Sequence, residues 1–299
     1  MLEFKVITDL ETARQLWNEL SPGESIFDLW DFRYCFYKHD PYPLYFIAAY
    51  ESQSNSDANL VGLMPLDRHP KFGYEFLAED PCEESRPFVR PGREDLIPQL
   101  YELVPAPAKF FDITGDDPFT IKLPLEDYKY ILPLKSINNF SDFLETRLSA
   151  KRRRSFVKEI EALKAQGVTA KISPQSELDL ELLFDFNLTN FSEESYLREH
   201  ERAPWRDLIK LPLDWRLVVL EIAGRKQAVS LSALYNGEWH YLITGVNFKE
   251  FPGLGKYLTM VNLEMALASG AKIFDAGLGD CGWKKLWHFD EKPQYEFIK

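Results

Sequence analysis

Cysteine and histidine are scarce: the 299 residues include 3 Cys and 5 His. Cys35, Cys82 and Cys281 are far apart and odd in number, so neither a disulfide framework nor a zinc cluster is expected. A reducing cytoplasm is the expected compartment. His39, His69, His200, His240 and His288 show no metal-ligand spacing, and no metal is expected. No apolar run approaches the roughly 18 to 20 residues that span a bilayer. The opening Met1-Leu2-Glu3-Phe4-Lys5 lacks a basic flank followed by an apolar stretch, so no signal peptide is expected. Neither Gly-x-Ser-x-Gly nor Gly-x-x-x-x-Gly-Lys-Ser/Thr occurs, which removes a hydrolase nucleophile elbow and a P-loop from consideration.

What remains is an ordinary globular composition, 45% hydrophobic and 27% charged. Charge is unevenly divided. Residues 1–130 hold 12 Lys+Arg against 24 Asp+Glu, net −12, whereas residues 131–299 hold 23 of each, net zero. The front half should repel nucleic acid and anionic surfaces, and no DNA partner is expected. An anionic ligand belongs in the back half.

Periodicity and turn residues give the element order. A strand at Phe4–Ile7 precedes a helix to Leu20 and a second helix over Ile26–Tyr37. Strands follow at Leu44–Tyr50, Leu60–Leu66 and Tyr74–Leu77, with a polar hairpin loop at residues 52–57. A helix near Asp95–Leu103 leads to a strand at Lys109–Ile113. Trp17, Trp30 and Phe32 are expected in the core. The second half opens with a strand near Tyr128–Leu132 and helices over Asn139–Arg147 and Ala150–Gln166. A strand at Val168–Ile172, helices between Ser176 and Ile209, and strands at Trp215–Ile222, Ala228–Tyr235 and Glu238–Val246 come next. Asn236-Gly237 is a strong two-residue hairpin signal. Gly253 to Gly255 then opens a helix to about Ser269, before a strand at Ile273–Ala276. Strand, two helices, meander, helix and strand thus occur twice, with a boundary between Gly115 and Lys135.

That order resembles a mixed α/β fold of two tandem GNAT-type acyltransferase domains, expected over residues 1–130 and 131–299, with the donor site in the second. Phe251-Pro252-Gly253-Leu254-Gly255-Lys256 lies between strand and helix, where backbone N–H groups and the helix dipole favour an anion. The segment is similar to the GNAT pyrophosphate loop, Gln/Arg-x-x-Gly-x-Gly/Ala, with Glu250 in the place of Gln or Arg. A more specific likeness starts at Leu148-Ser149-Ala150-Lys151-Arg152-Arg153-Arg154 and runs through Lys158-Glu159-Ile160 and Leu163. With Phe274-Asp275-Ala276-Gly277 and Trp283-Lys284, it resembles the BioF2-like acetyltransferase domain, related to the FemAB peptidyltransferases. Val61-Gly62-Leu63-Met64-Pro65-Leu66 resembles that family's N-terminal half.

The resemblance implies N-acyl transfer from acetyl-CoA or another acyl-CoA to a small-molecule amine, such as an amino sugar or amino acid. Gly253, Leu254, Gly255, Lys256 and Val246 are then expected at the donor, and Arg152, Trp283 and Tyr241 at the substrate. Lys284, Tyr257, His240 and Asp275 are the expected catalytic groups, Lys284 through contact with the transferred group and Tyr257 as leaving-group acid. His240 and Tyr241 lie on opposite strand faces, so at most one can point at substrate. Two other functions fit the same residues: a FemAB-like transferase using aminoacyl-tRNA on a cell-wall precursor, and a binding module retaining the fold without catalysis. The Lys151–Lys158 cations read either as a solvated helix face or as a grip on phosphate or carboxylate.

Overall fold

The computed structural model describes residues 2–51, 59–79, 81–173, 177–191 and 201–299. The expected loop at 52–57, part of the stretch expected as helices between Ser176 and Ile209, and His200 lie outside them. The chain separates into two compact units, Met1–Tyr128 with Pro293–Lys299, and Lys129–Lys292. The expected border at 130/131 stands beside an observed one at 128/129, and residues 293–299 fall in the first unit rather than the second.

In the first unit, β1 (Leu2–Ile7) leads to α1 (Leu10–Leu20) and α2 (Trp30–Tyr37). Asp9 starts α1 by accepting from the Glu11 and Thr12 N–H groups. Strands β2 (Phe46–Glu51), β3 (Asn59–Met64), β4 (Leu66–His69), β5 (Gly73–Phe76) and β6 (Phe88–Val89) follow, then α3 (Ile97–Leu103) and β7 (Lys109–Ile113). One sheet has the order β1-β2-β3-β6, and β4 pairs β5 as a hairpin. Strand alternation splits the core in two. Phe46 and Ala48 of β2 join Trp17 and Trp30 in one cluster, while Ile47 and Ala49 join Leu100, Tyr101 and Phe110 in another. Trp17, Trp30 and Phe32 are all buried.

The second unit takes up the chain within β8 (Leu125–Pro133) and continues through α4 (Phe140–Arg147), α5 (Ala150–Ala165), β9 (Thr169–Ser173), α6 (Glu177–Phe191) and α7 (Arg202–Leu208). Then come β10 (Asp214–Ile222), β11 (Arg225–Tyr235), β12 (Glu238–Val246), α8 (Leu254–Ala268) and β13 (Ile273–Leu278). Its strands lie in the order β8-β13-β12-β11-β10-β9. The sequence reading contains no strand near the C-terminus. The structure adds β14 (Asp290–Ile298), which pairs antiparallel with β7 within the first unit, Phe297 opposite Phe110.

Gly245 in β12 shows why that strand carries no side chain there. A Cβ at Gly245 would lie 2.2 Å from the Leu183 carbonyl oxygen and 2.9 Å from Phe186 Cβ, both on α6. Backbone cannot swing away as an exposed side chain does. Gly245→Ala is therefore expected to cost about 3 kcal/mol, the upper end of ordinary overpacking. Urea titration checks it, and a folded variant with the wild-type midpoint contradicts the close approach.

Candidate active site

Strands β12 and β13 run parallel only over Glu238–His240 against Ile273–Asp275. Beyond that point β13 continues along β8, with Leu278 opposite Lys129, and β12 stays on β11 alone. The two strands therefore part immediately after His240 and Asp275. A bulge between Leu231 and Ser232 skips Leu242 in the pairing with β11, which bends β12 at the same place.

The residues at this fork are buried. His240 is fully buried and its Nδ1 lies 3.0 Å from Asp275 Oδ2. Lys129 Nζ lies 2.7 Å from the same oxygen, and the Gly277 N–H donates to Asp275 Oδ1 at 2.9 Å. Burial alone would raise the Asp275 pKa. The Lys129 ammonium and the His240 hydrogen bond outweigh it and hold the carboxyl well below the usual carboxylate range. This cluster ties three neighbouring strands, β8, β13 and β12. It gives His240 and Asp275, expected as catalytic groups, a demonstrable packing role.

Tyr241 points the other way, its hydroxyl 3.5 Å from Thr259 Oγ1 on α8. Burial raises its pKa, as it does for Tyr257, where Glu264 adds to the effect. Both phenols stay protonated at neutral pH. Lys284 is buried, donating to the Gly277 carbonyl at 3.0 Å and the Leu278 carbonyl at 2.5 Å, with Nζ 5.6 Å from the Tyr130 ring centroid. Its ammonium thus holds the end of β13 in place. Trp283 packs edge-on to Trp287 and Phe289. Arg152 is exposed, with Nη1 3.2 Å from His288 Nε2 and donating to the Leu286 carbonyl at 3.4 Å. Among the α5 cations, Lys151, Arg153, Arg154 and Lys158 have no carboxylate partner among the described residues, and Lys151, Arg154 and Lys158 face solvent.

The glycine loop is formed as the sequence suggests, with Gly253 at φ +87° as the N-cap of α8 and no side chain capping it. Leu254 is buried and its N–H donates to the Phe251 carbonyl at 3.2 Å. The next two N–H groups, of Gly255 and Lys256, find no acceptor among the described residues. The loop is less cationic than its sequence. Lys256 forms an ion pair with Glu159 of α5, and Glu159 Oε2 lies 3.9 Å from where a Gly253 Cβ would be. A Cβ at Gly255 would come 2.8 Å from the ring of Phe248, an exposed side chain that can swing aside. No cluster that could hold a metal ion occurs among the described residues.

Val246, expected at the donor, is buried at the end of β12. Its carbonyl accepts from Asn190 at 2.7 Å, and the Thr244 carbonyl accepts from Asn187 at 3.0 Å. The sequence reading missed both asparagines, Lys129 and Gly245. Only Gly245 carried a local signal, a glycine inside an apolar strand, which marks close backbone approach.

Comparison with known proteins agrees with this geometry. Residues 150–285 match the family model of the acetyltransferase (GNAT) domain. L-PGS from Bacillus licheniformis superimposes with a TM-score of 0.60 at 12% identity, over 97% of this chain and 91% of that one. FemX gives 0.60 at 11%, over 99% and 97%. A tandem GNAT protein from the clavulanic acid biosynthesis pathway gives 0.51 at 11%, over 100% and 98%. No curated protein sequence matches the chain. No helix among the described residues is long and apolar enough to cross a membrane. The chain has a mixed α/β tandem GNAT fold of the FemAB-like kind, and its second half carries the GNAT acetyltransferase domain match.

Proposed function

We propose that the second unit transfers an acyl group from acyl-CoA to the nitrogen of a small amine. The observation that carries this reading is the fork between β12 and β13, which leaves one edge of β12 unpaired by strand beside an uncapped, glycine-started helix. The Gly255 and Lys256 N–H groups would receive the pyrophosphate, favoured by the dipole of α8. The acyl carbonyl would lie along β12. The neutral amine attacks the carbonyl carbon, and the negative charge gathering on its oxygen is stabilised by strand N–H groups. Collapse of that intermediate breaks the carbon–sulfur bond. The thiolate takes a proton, for which Tyr257, held protonated by burial, is the candidate donor, and the proton that the attacking nitrogen loses on becoming an amide restores the phenol by way of water. His240, Asp275 and Lys284 then act on the shape of the fork. The acceptor is an amino sugar or amino acid.

A second reading, transfer of an aminoacyl group from tRNA, is favoured by the Lys256–Glu159 pair, which reduces positive charge where a pyrophosphate would bind. One substitution separates the two. Glu159→Gln releases Lys256, and a partly exposed ion pair is worth about 0.2 to 1 kcal/mol, so acyl-CoA should bind up to about fivefold tighter. Thermal-shift titration with acetyl-CoA, longer acyl-CoAs and tRNA reads this out. Saturable stabilisation by tRNA alone, with no effect of Glu159→Gln, selects the aminoacyl reading.

A further inference from the structure

A strand that leaves its neighbour exposes a row of N–H and C=O groups that need partners. On β12 the row is identifiable from register. The Asn247 N–H donates to the Gln227 carbonyl at 2.9 Å, and Val246 lies opposite Ala228, Gly245 opposite Val229 and Thr244 opposite Ser230. Hydrogen-bonded and non-hydrogen-bonded pairs alternate in an antiparallel ladder. The backbone polar groups of Thr244 and Val246 therefore point away from β11, toward the side β13 has left. Their carbonyls are occupied by the side-chain amides of Asn187 and Asn190, one helical turn apart on α6. The collision that forbids a side chain at Gly245 fixes α6 at this distance. Asparagine side chains thus take the place of half a strand, and the Thr244 and Val246 N–H groups have no partner among the described residues.

We propose that Asn187 and Asn190 determine donor specificity: they occupy the carbonyl half of the β12 edge, so the edge recognises a donor through its carbonyl oxygens and not through its amide N–H groups. The inference rests on the acyl-transfer reading and deepens it. A pantetheine arm carries two amides, and an exposed strand edge offering both polar groups would pair with it as with an added strand. Here only the acceptor atoms of the arm, and the acyl carbonyl itself, find partners on the strand. An edge of N–H groups without competing carbonyls is also the better surroundings for an oxyanion.

Calorimetry with acetyl-CoA and two analogues, each with one arm amide N–H replaced by an ester oxygen, tests this on the intact protein. The wild type is expected to bind all three within about twofold, because no hydrogen bond is lost. Asn187→Ala/Asn190→Ala frees the carbonyls, and each ester replacement should then weaken binding about five- to tenfold, the usual worth of one hydrogen bond. Tenfold losses in the wild type overturn the inference while leaving acyl-CoA as the donor. So does a folded double variant that binds the three alike. If the double variant does not fold, the wild-type comparison decides. No binding of acetyl-CoA by either protein overturns the inference and the acyl-CoA reading together.

Discussion

Replacing Asp275 with alanine is expected to destabilise the protein by about 3 to 5 kcal/mol, the cost of breaking a buried ion pair from one side. Lys129 is only 1% exposed and would be left buried without its carboxylate. Lys129→Met combined with Asp275→Leu removes both charges and is expected to recover most of the loss, since a well-packed apolar pair often equals a buried ion pair. Denaturation by urea checks both. The linkage to pH has a definite sign. The folded pKa of Asp275 lies below its ordinary 3.8. Its stabilisation is complete above the unfolded value and is lost as pH falls below about 4 toward the folded one. If Asp275→Ala proves as stable as wild type, the group does not hold the fork, and a purely catalytic role returns.

Asp67 in the first unit should do the opposite. It is 2% exposed, Oδ2 accepts from the Ala78 N–H at 3.1 Å, and Oδ1 has no hydrogen-bond partner among the described residues. Burial raises its pKa to about 7, against the lowering effects of the Ala78 hydrogen bond and Arg33, with Asp40 adding a little upward. The Arg33 guanidinium, which donates to the Phe27, Leu77 and Glu84 carbonyls and Ser85 Oγ, lowers it without cancelling the effect of burial. A folded pKa above the unfolded one stabilises at low pH and is lost as pH rises through it. Between the ordinary 3.8 and about 7 the loss is about 4 kcal/mol, complete by pH 8. Glu79, also raised by burial, contributes with the same sign. Asp67→Asn keeps the acceptor for Ala78 and needs no proton. Its urea midpoint should exceed wild type at pH 8 and approach it at pH 5. Parallel pH profiles for the two proteins would show that Asp67 is ionised in the fold at little cost.

Local chemistry made much of this fold legible. Asn236-Gly237 is the β11–β12 turn, Asp9 and Ser149 start their helices, and Gly253 opens α8. Each depends on residues within one or two turns of chain. The return of β14 was not legible. Its sequence, Asp290-Glu-Lys-Pro-Gln-Tyr-Glu-Phe-Ile, is largely polar and contains Pro293, which argues against a strand until β7 supplies a partner. The fork was half legible. The strand and the pair His240 and Asp275 are legible as chemistry-bearing, but nothing local announces Lys129, more than a hundred residues earlier, whose ammonium shares the Asp275 carboxylate with His240. Nothing local marks Asn187 and Asn190 either, because two asparagines on a helix gain meaning only from the carbonyls they reach.

In the proposed reading, the β12 edge and the start of α8 form the donor site. Backbone hydrogen exchange with and without saturating acetyl-CoA tests it most directly, since the N–H groups in question are the proposed contacts. Protection of Thr244, Val246, Gly255 and Lys256 on donor addition, with little change in the first unit, is the expected result. Donor binding that leaves those four amides exchanging as before would contradict the account.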